Sequence, residues 1–488
     1  MKSLRDLTEQ LRKTAGDAEF VAALAASGTD ALDVRFADLP GRWHHVTVPV
    51  TRVDESLFAS GVGFDGSSVS GFKRVERGDM VLIPDRLTAQ AEEWDGRIIV
   101  AVLSSAAEAQ LKTPFPLDPR LTALRAERAL AESGHADMSL WAPELEFYAF
   151  SSVAYDERRN GSFFSVRSDE AGWSDPDSES DGLGYRIRAG GGYHASPPCD
   201  RFFEFRNEVA ARLQDAGIPV KYHHHENGAP GQLEVELIGE PLVPAADHVM
   251  LGKHIVRNTA AEWGLAATFM PRPLLAEAGS GLHVHVKLMR AGAPVFHGEG
   301  RYAGLSESAL HFVGGILSHG RALSAIVSPS TNSYRRLRPG YEAPTNLFFS
   351  EGNRSAAIRV PRYATRPEAK TIEYRPPDAT ANPYLMMAAL LAAGLDGLDR
   401  RVDPTAHGFG PFDRNVHELP RKERNRIVPL PATIEEALDA LERDADFLTT
   451  RGIFADEFAA TWIELKREEI ETIASHPHPG EYGLYFDC

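Results

Sequence analysis

Only two cysteines, Cys199 and Cys488, occur in 488 residues. That scarcity excludes a thiolate metal cage or a disulfide framework, and a reducing cytoplasm is the expected setting. Long apolar runs are also missing: no stretch would span a bilayer, so a soluble protein without a membrane partner is expected. The charged opening, Met1 to Gly16, reads as a short amphipathic helix and not as a signal peptide. Basic charge is in deficit, with 52 Lys and Arg against 69 Asp and Glu and a net charge of −17. The deficit argues against a nucleic-acid partner, although it leaves room for a locally basic phosphate pocket. Short tandem repeats of the solenoid kind are absent too.

What is present is an ordinary enzyme composition, 43% hydrophobic and 25% charged, in a chain long enough for more than one domain. The opening is strand-rich. Leu32 to Asp38 alternates, Leu39-Pro40-Gly41 breaks the run, Trp43 to Val50 returns, and Asp79 to Asp85 and Ile98 to Leu103 follow. A boundary falls near Pro114 to Pro119, before the helical pattern of Arg120 to Ser133. Beyond it, strands are expected at Ser139 to Phe150 and twice within Pro219 to Leu237. Helices are expected at Arg201 to Ala216, Ala245 to Trp263, Glu307 to Val327, Asn382 to Asp399, Ile434 to Leu448 and Phe458 to Ala474. Ser151 to Gly192, rich in Asp, Ser and Gly, reads as a long excursion.

Chemistry concentrates in a few places. In Leu282 to Leu288 the residues Leu282, Val284, Val286 and Leu288 face one way on a strand, and His283, His285 and Lys287 the other. Glu144 and Glu146 share a strand face; buried together they repel, and a divalent cation would resolve that cost, whereas a solvated strand edge is the plain alternative. Glu226 and Glu234 flank a Gly-Pro turn after His223-His224-His225. Three successive histidines cannot share a face, so most of that set is expected to pack behind the site. Glu373 and Arg375 alternate on one strand. Oxygen-rich ligation with one imidazole suits Mg²⁺ or Mn²⁺ better than structural zinc. Arg336, Arg338, Arg354 and Arg359 follow within a short span; each alone fits a surface salt bridge as well, but beside carboxylates they suit phosphate or carboxylate recognition. Together these groups point towards phosphoryl transfer with an anionic co-substrate.

Over nearly its whole length the sequence resembles the type I glutamine synthetases. The matching segments are Phe64-Asp65-Gly66-Ser67-Ser68, Pro143 to Phe147, His224-His225-Glu226 with Gly231-Gln232-Leu233-Glu234, and Gly279 to His285. Asn332 to Arg336 through Pro339 to Pro344, Asn353 to Ala356, and Asn382-Pro383-Tyr384 complete them. The resemblance implies an α+β fold: a small N-terminal β-grasp domain, residues 1–115, and a catalytic domain, residues 116–488, with a curved antiparallel sheet and surrounding helices. It implies ATP-dependent ligation of ammonia to the side-chain carboxylate of glutamate. It also implies a dodecamer of two hexameric rings with shared active sites, and two or more Mg²⁺ or Mn²⁺ per site.

Carried over by position, one metal would be held by Glu146, Glu226 and Glu234, and another by Glu144, His283 and Glu373. Arg336, Arg375 and Gly279 would bind glutamate, and Arg354 and Arg359 the transferring phosphoryl group, with His285 near the nucleotide phosphates. Asp65 of a neighbouring copy would help bind and deprotonate ammonium, with Ser68, Tyr193 and Glu226 around it. Glu342 would lie on a closing flap. Four positions depart from the better-known members: Ala278 stands where many have asparagine, Lys287 where serine is common, Gly352 where arginine is, and His417 where one branch has the adenylylated tyrosine. The first two keep a γ-glutamyl ligase for a small amine or polyamine in view. A non-catalytic relative is a third reading, disfavoured because a scaffold has no use for repelling carboxylates.

Overall fold

The computed structural model describes residues 3–173, 184–339, 343–414 and 416–488. Two helices, Leu4–Arg12 and Asp17–Ala26, open the chain, the first closed by a capping box between Ser3 and Asp6. A five-stranded sheet follows in the order Trp43–Pro49, Ala31–Ala37, Arg97–Glu108, Asp79–Trp94, Val62–Asp65. All pairs are antiparallel except that of Ala31–Ala37 with Arg97–Glu108, which is parallel. The two long strands exceed the runs expected at Asp79 to Asp85 and Ile98 to Leu103, because the added residues mix small and polar side chains and the register shifts between Asp85 and Gln90, which breaks the alternation.

Asp118 joins this unit to the rest. Its carboxylate caps the helix Pro119–Ser133 by accepting from Leu121 N–H, and it also accepts from Ala106 N–H at 2.7 Å. Burial pushes its carboxyl up to about 6 against those bonds.

The second sheet has eleven strands. Its main path runs Val428–Pro429, Asn346–Glu351, Ala356–Val360, Ile372–Tyr374, Val284–Arg290, Met138–Phe150, Gln232–Leu237, Val220–His225. Helices cover its back. The helix Pro383–Arg400 is apolar nearly all round and buried from Pro383 to Leu395, as a helix at the centre of a core must be. Strand and helix together make the α+β class expected from the resemblance, but the sheet is mixed and not antiparallel throughout, because Asn346–Glu351 and Ala356–Val360 pair in parallel.

Three expectations need correction. Ser151 to Gly192 is not all loop, since Ser152–Arg158 and Gly161–Arg167 form an antiparallel hairpin. Glu307 to Val327 is two helices that meet at His319, whose imidazole is held by Asp396 and Asp444. Ile434 to Leu448 likewise divides, into Ile434–Arg443 and Asp446–Thr449.

Candidate active site

Strand register assembles the site. In an antiparallel pair, residues directly opposite point to the same face. Glu234 lies opposite both His224 and Glu146, which makes one polar row across three strands. Glu236 lies opposite both Tyr222 and Glu144, which makes a second. His285 and Arg359 lie opposite Glu373 and make a third. The apolar residues between them, Leu145, Phe147, Val235, Val284, Val286 and Ile372, face the helices and are at most 1% exposed. The alternation read in Leu282 to Leu288 is therefore realised, with Leu282 and His283 just before the strand begins.

The polar face floors a cleft of about 540 Å³. Of the expected residues, Glu144, Glu146, Tyr193, Glu226, Glu234, Gly279, His283, Arg336, Arg354, Arg359, Glu373 and Arg375 line it. His285 does not. It stands behind Glu144, bonded through Nε2 to Glu144 Oε1 at 2.9 Å. Asp65 and Ser68 belong to the N-terminal sheet edge and do not line this chain's own cleft. There Asp65 accepts from the Ser67 hydroxyl and N–H and from the Ser68 hydroxyl, bonds that hold its carboxyl below the usual range. Glu342 lies outside the described residues, as does the side chain of His417.

Among the described residues three groups of ligand atoms lie within 4.8 Å of one another: Glu144 with His283 and Glu373, His224 with Glu226 and Glu234, and Glu144 with Glu236 and His285. The first is the expected set. In the second, His224 takes the place assigned to Glu146, whose carboxylate is drawn aside by Gly281 N–H at 2.8 Å. A side chain at 281 would crowd the neighbouring site groups: a Cβ there would sit 2.7 Å from both His283 Nε2 and Arg336 Nη2. His223 and His225 do pack behind, against Arg206 and Glu170 respectively. The third group is already partly engaged, because Lys221 donates to Glu236.

Charge is handled differently across the cleft. Burial alone would raise the Glu144 carboxyl, yet hydrogen bonds from His283 and His285 keep it well below the usual range. Glu373 is fully buried but pairs with Arg375 and Arg359, and it too is lowered. Glu234 has no such help. Burial and the charges of Glu144, Glu146, Glu226 and Glu236 raise it well above the usual range. A divalent cation would reverse that last cost, so the donor set fits a hard metal ion.

Two of the arginines are fixed by backbone. Arg336 donates to Pro376 O at 2.7 Å and Arg375 O at 3.0 Å, and Arg375 Nε to Arg354 O at 2.9 Å. Arg354 lies 5.9 Å from the Tyr193 ring centroid. Arg272, Asn227, Tyr222 and Tyr363 also line the cleft and were not anticipated. Tyr222 and His224 alternate with Glu226, and that spacing was the available signal.

A sheet whose polar face opposes carboxylates and imidazoles to a set of arginines defines an enzyme site for anionic substrates and a cation. Comparison with known proteins narrows that class. Residues 116–485 match the glutamine synthetase catalytic domain and residues 28–108 the glutamine synthetase beta-grasp domain. Glutamine synthetase of Mycolicibacterium smegmatis is 42% identical over 461 residues, covering 93% of this chain and 96% of that one. The Plasmodium falciparum glutamine synthetase structure superposes with a TM-score of 0.86 at 26% identity over 99% of both chains. The GmaS/ADP complex does so with a TM-score of 0.80 at 26% identity, over 96% of this chain and 100% of that one. The chain is an enzyme of the glutamine synthetase family, ligases that form glutamine from glutamate, ammonia and ATP with a divalent metal. Among the described residues no helix is long and apolar enough to cross a membrane.

Proposed function

We propose that this enzyme ligates ammonia to L-glutamate through a γ-glutamyl phosphate, giving glutamine, ADP and phosphate. The observation that carries this reading is the single cleft in which Glu144, His283, Glu373, Glu226 and Glu234 face Arg336, Arg354, Arg359 and Arg375. Arg336 and Arg375 hold the glutamate carboxylate, while Arg354 and Arg359 neutralise charge on the phosphoryl group as it moves from ATP to the γ-carboxylate oxygen. ADP leaves in that step. Ammonia then attacks the acyl carbon and phosphate leaves.

Glu144, His283 and Glu373 on one side, and Glu226 and Glu234 with His224 or Glu146 on the other, would hold Mg²⁺ or Mn²⁺. Bound there, the cations would supply positive charge to the nucleotide and the transferring phosphoryl group. His285 orients Glu144 from behind, on the phosphate side. Ammonium is bound as a cation by Glu226 and Tyr193, with Ser68 and Asp65 supplied by a neighbouring copy, and its proton passes to the Asp65 carboxylate. That sharing makes the working unit an oligomer, a dodecamer of two hexameric rings in which the N-terminal unit 1–115 reaches the next subunit's catalytic unit 116–488. Glu342 belongs to the flap that keeps water from the acyl phosphate. The cytoplasm supplies ATP and keeps both cysteines reduced.

Phosphate release with ATP, Mg²⁺ and glutamate tests the reading, with ammonium, methylamine, ethanolamine and putrescine as alternative acceptors. Turnover with ammonium is expected. Turnover with an amine and none with ammonium would replace this reading with that of an amine ligase, and silence with every acceptor would favour a scaffold.

A further inference from the structure

The turn Glu226 to Gly231 is held rigidly. Glu226 N–H donates to Gln232 O at 2.8 Å, Gln232 N–H to Gly228 O at 3.0 Å, and Gly228 N–H to Gln232 Oε1 at 2.7 Å. Gly192 N–H donates to Asn227 O at 3.2 Å. One side chain stands apart from this network. Asn227 lines the cleft, is half-buried, and its carboxamide makes no hydrogen bond to any described residue. A fixed turn that presents an amide with no hydrogen bond among the described residues to a charged cleft leaves that amide available to a ligand.

Its neighbours define which ligand. The segment Glu277 to Gly281 is docked on this turn: Ala229 N–H donates to Glu277 Oε2 at 3.3 Å, and Gln232 Nε2 to Gly279 O at 3.1 Å. The Tyr148 hydroxyl donates to Ala278 O at 2.6 Å, and a Cβ on Gly228 would lie 2.0 Å from that same hydroxyl. Asn227 and Ala278 therefore sit on adjoining loops of one wall. Arg336 packs against that wall, because a Cβ on Gly279 would stand 2.7 Å from Arg336 Cγ. The carbonyls of Ala278 and Gly279 are already accepting, and Arg336 contributes only donors. On the adjoining loop of the same cleft, Asn227 offers an acceptor and donors in one neutral group, which suits the two charges of a zwitterion bound beside Arg336. The methyl group of Ala278 leaves space for it.

We propose that Asn227 is a binding residue for the backbone end of the amino-acid substrate, with Oδ1 accepting from the α-ammonium and Nδ2 donating to the α-carboxylate beside Arg336. This rests on the reading of the cleft as an amino-acid ligase site. With ATP and Mg²⁺ present, Asn227→Ala raises the KM for glutamate about tenfold, the factor left by a lost hydrogen bond to a charged group. The KM values for ATP and ammonium and the melting temperature stay as they were. Asn227→Asp, which repels the α-carboxylate, weakens glutamate further. Adding Ala278→Asn to Asn227→Ala returns a carboxamide to the same wall and restores part of the affinity. Calorimetric titration of glutamate into the full-length protein with Mg²⁺ and a non-hydrolysable ATP analogue reads the contact without turnover. Wild-type protein that binds glutamate yet does not use ammonium would sink the proposed function and leave this inference standing. Unchanged glutamate affinity in both Asn227 variants, or a shift in the ammonium KM alone, would overturn it.

Discussion

The two carboxylate groups of the cleft are buried alike and charged differently. Glu144 and Glu234 are each 8% exposed, so solvent access does not separate them. Glu144 is held low by two imidazoles, and Glu373 beside it by two guanidinium groups. Across the cleft, Glu234 has only His224 Nε2 at 3.5 Å and four carboxylates around it, and it is raised. Burial sets the cost of a charge; the neighbours decide whether the protein meets it or leaves it to a bound cation. One half of the site is prepaid in arginine and histidine, and the other is organised around an ion.

The largest expected effect comes from breaking the paired half. Glu373→Ala leaves the Arg359 and Arg375 guanidinium groups without their shared carboxylate and removes a ligand of the Glu144–His283 group. Turnover should fall about a thousandfold, and stability by about 3 kcal/mol. Glu373→Gln, which keeps the shape, separates the two losses: kinetics and a thermal melt on both variants should show activity lost in each and stability lost more in the alanine. Full activity in either would remove Glu373 from the machinery.

The opposite half should respond with the opposite sign in stability. A carboxyl whose folded pKa is raised costs stability as pH climbs above its unfolded value, about 4.3, so Glu234→Gln removes a cost. Without metal at pH 8 that variant should be more stable than the parent by about 1 kcal/mol, and the two should converge at low pH. The melting shift produced by added Mg²⁺ should shrink in it. A destabilised Glu234→Gln protein in EDTA would erase the contrast between the halves.

His319 offers the same ingredients without a cleft. It bonds Asp396 and Asp444, each at 2.9 Å, and stacks on Phe447 with ring centroids 4.1 Å apart. Burial would lower its pKa, but the two carboxylates raise it to about 9. A histidine whose folded pKa is raised contributes stability that is complete below about 6.5 and lost as pH rises through about 9. Unfolding free energy should therefore fall between those values by about 1–2 kcal/mol, discounted because Asp444 is 40% exposed. His319→Gln should flatten that slope in denaturant melts and leave the metal response alone. An unchanged slope would mean that the clasp does not titrate.

These contrasts also mark what the sequence made legible. The alternation in Leu282 to Leu288 and the Glu144/Glu146 pair carry their burial in period two, and both are realised on the sheet. The gathering of Glu144, His283 and Glu373 was reached only through resemblance, because three strands distant in sequence meet there. His224 was not singled out from its two histidine neighbours because its value comes from standing opposite Glu234, and register across a turn is not a local property. Arg359 and Arg375 were read as substrate groups; the alternation of Glu373 and Arg375 puts that pair on one face, but that Arg359 also neutralises Glu373 depends on a cross-strand pairing no spacing reveals. The hairpin Ser152–Arg167 was missed because its exposed strands, with Tyr155, Phe163 and Phe164 outward, have no buried face to impose alternation.

The smallest effect is expected at Lys287, which shares the polar face with His283 and His285 and yet joins neither half. Its Nζ donates to Glu368 O at 2.5 Å, and desolvation lowers its pKa. The ammonium group thus ties the strand Val284–Arg290 to the short helix Pro367–Ala369, and it does not line the cleft. A single half-exposed bond of this kind is worth about 1 kcal/mol or less. Lys287→Ser should therefore lower the melting temperature slightly and leave both the Mg²⁺ response and the KM for ATP within about twofold, the scale of 0.4 kcal/mol. If the KM for ATP instead rose severalfold, the lysine would belong to the nucleotide side of the paired half, and the polar face would carry a cation reserved for substrate beyond the arginines.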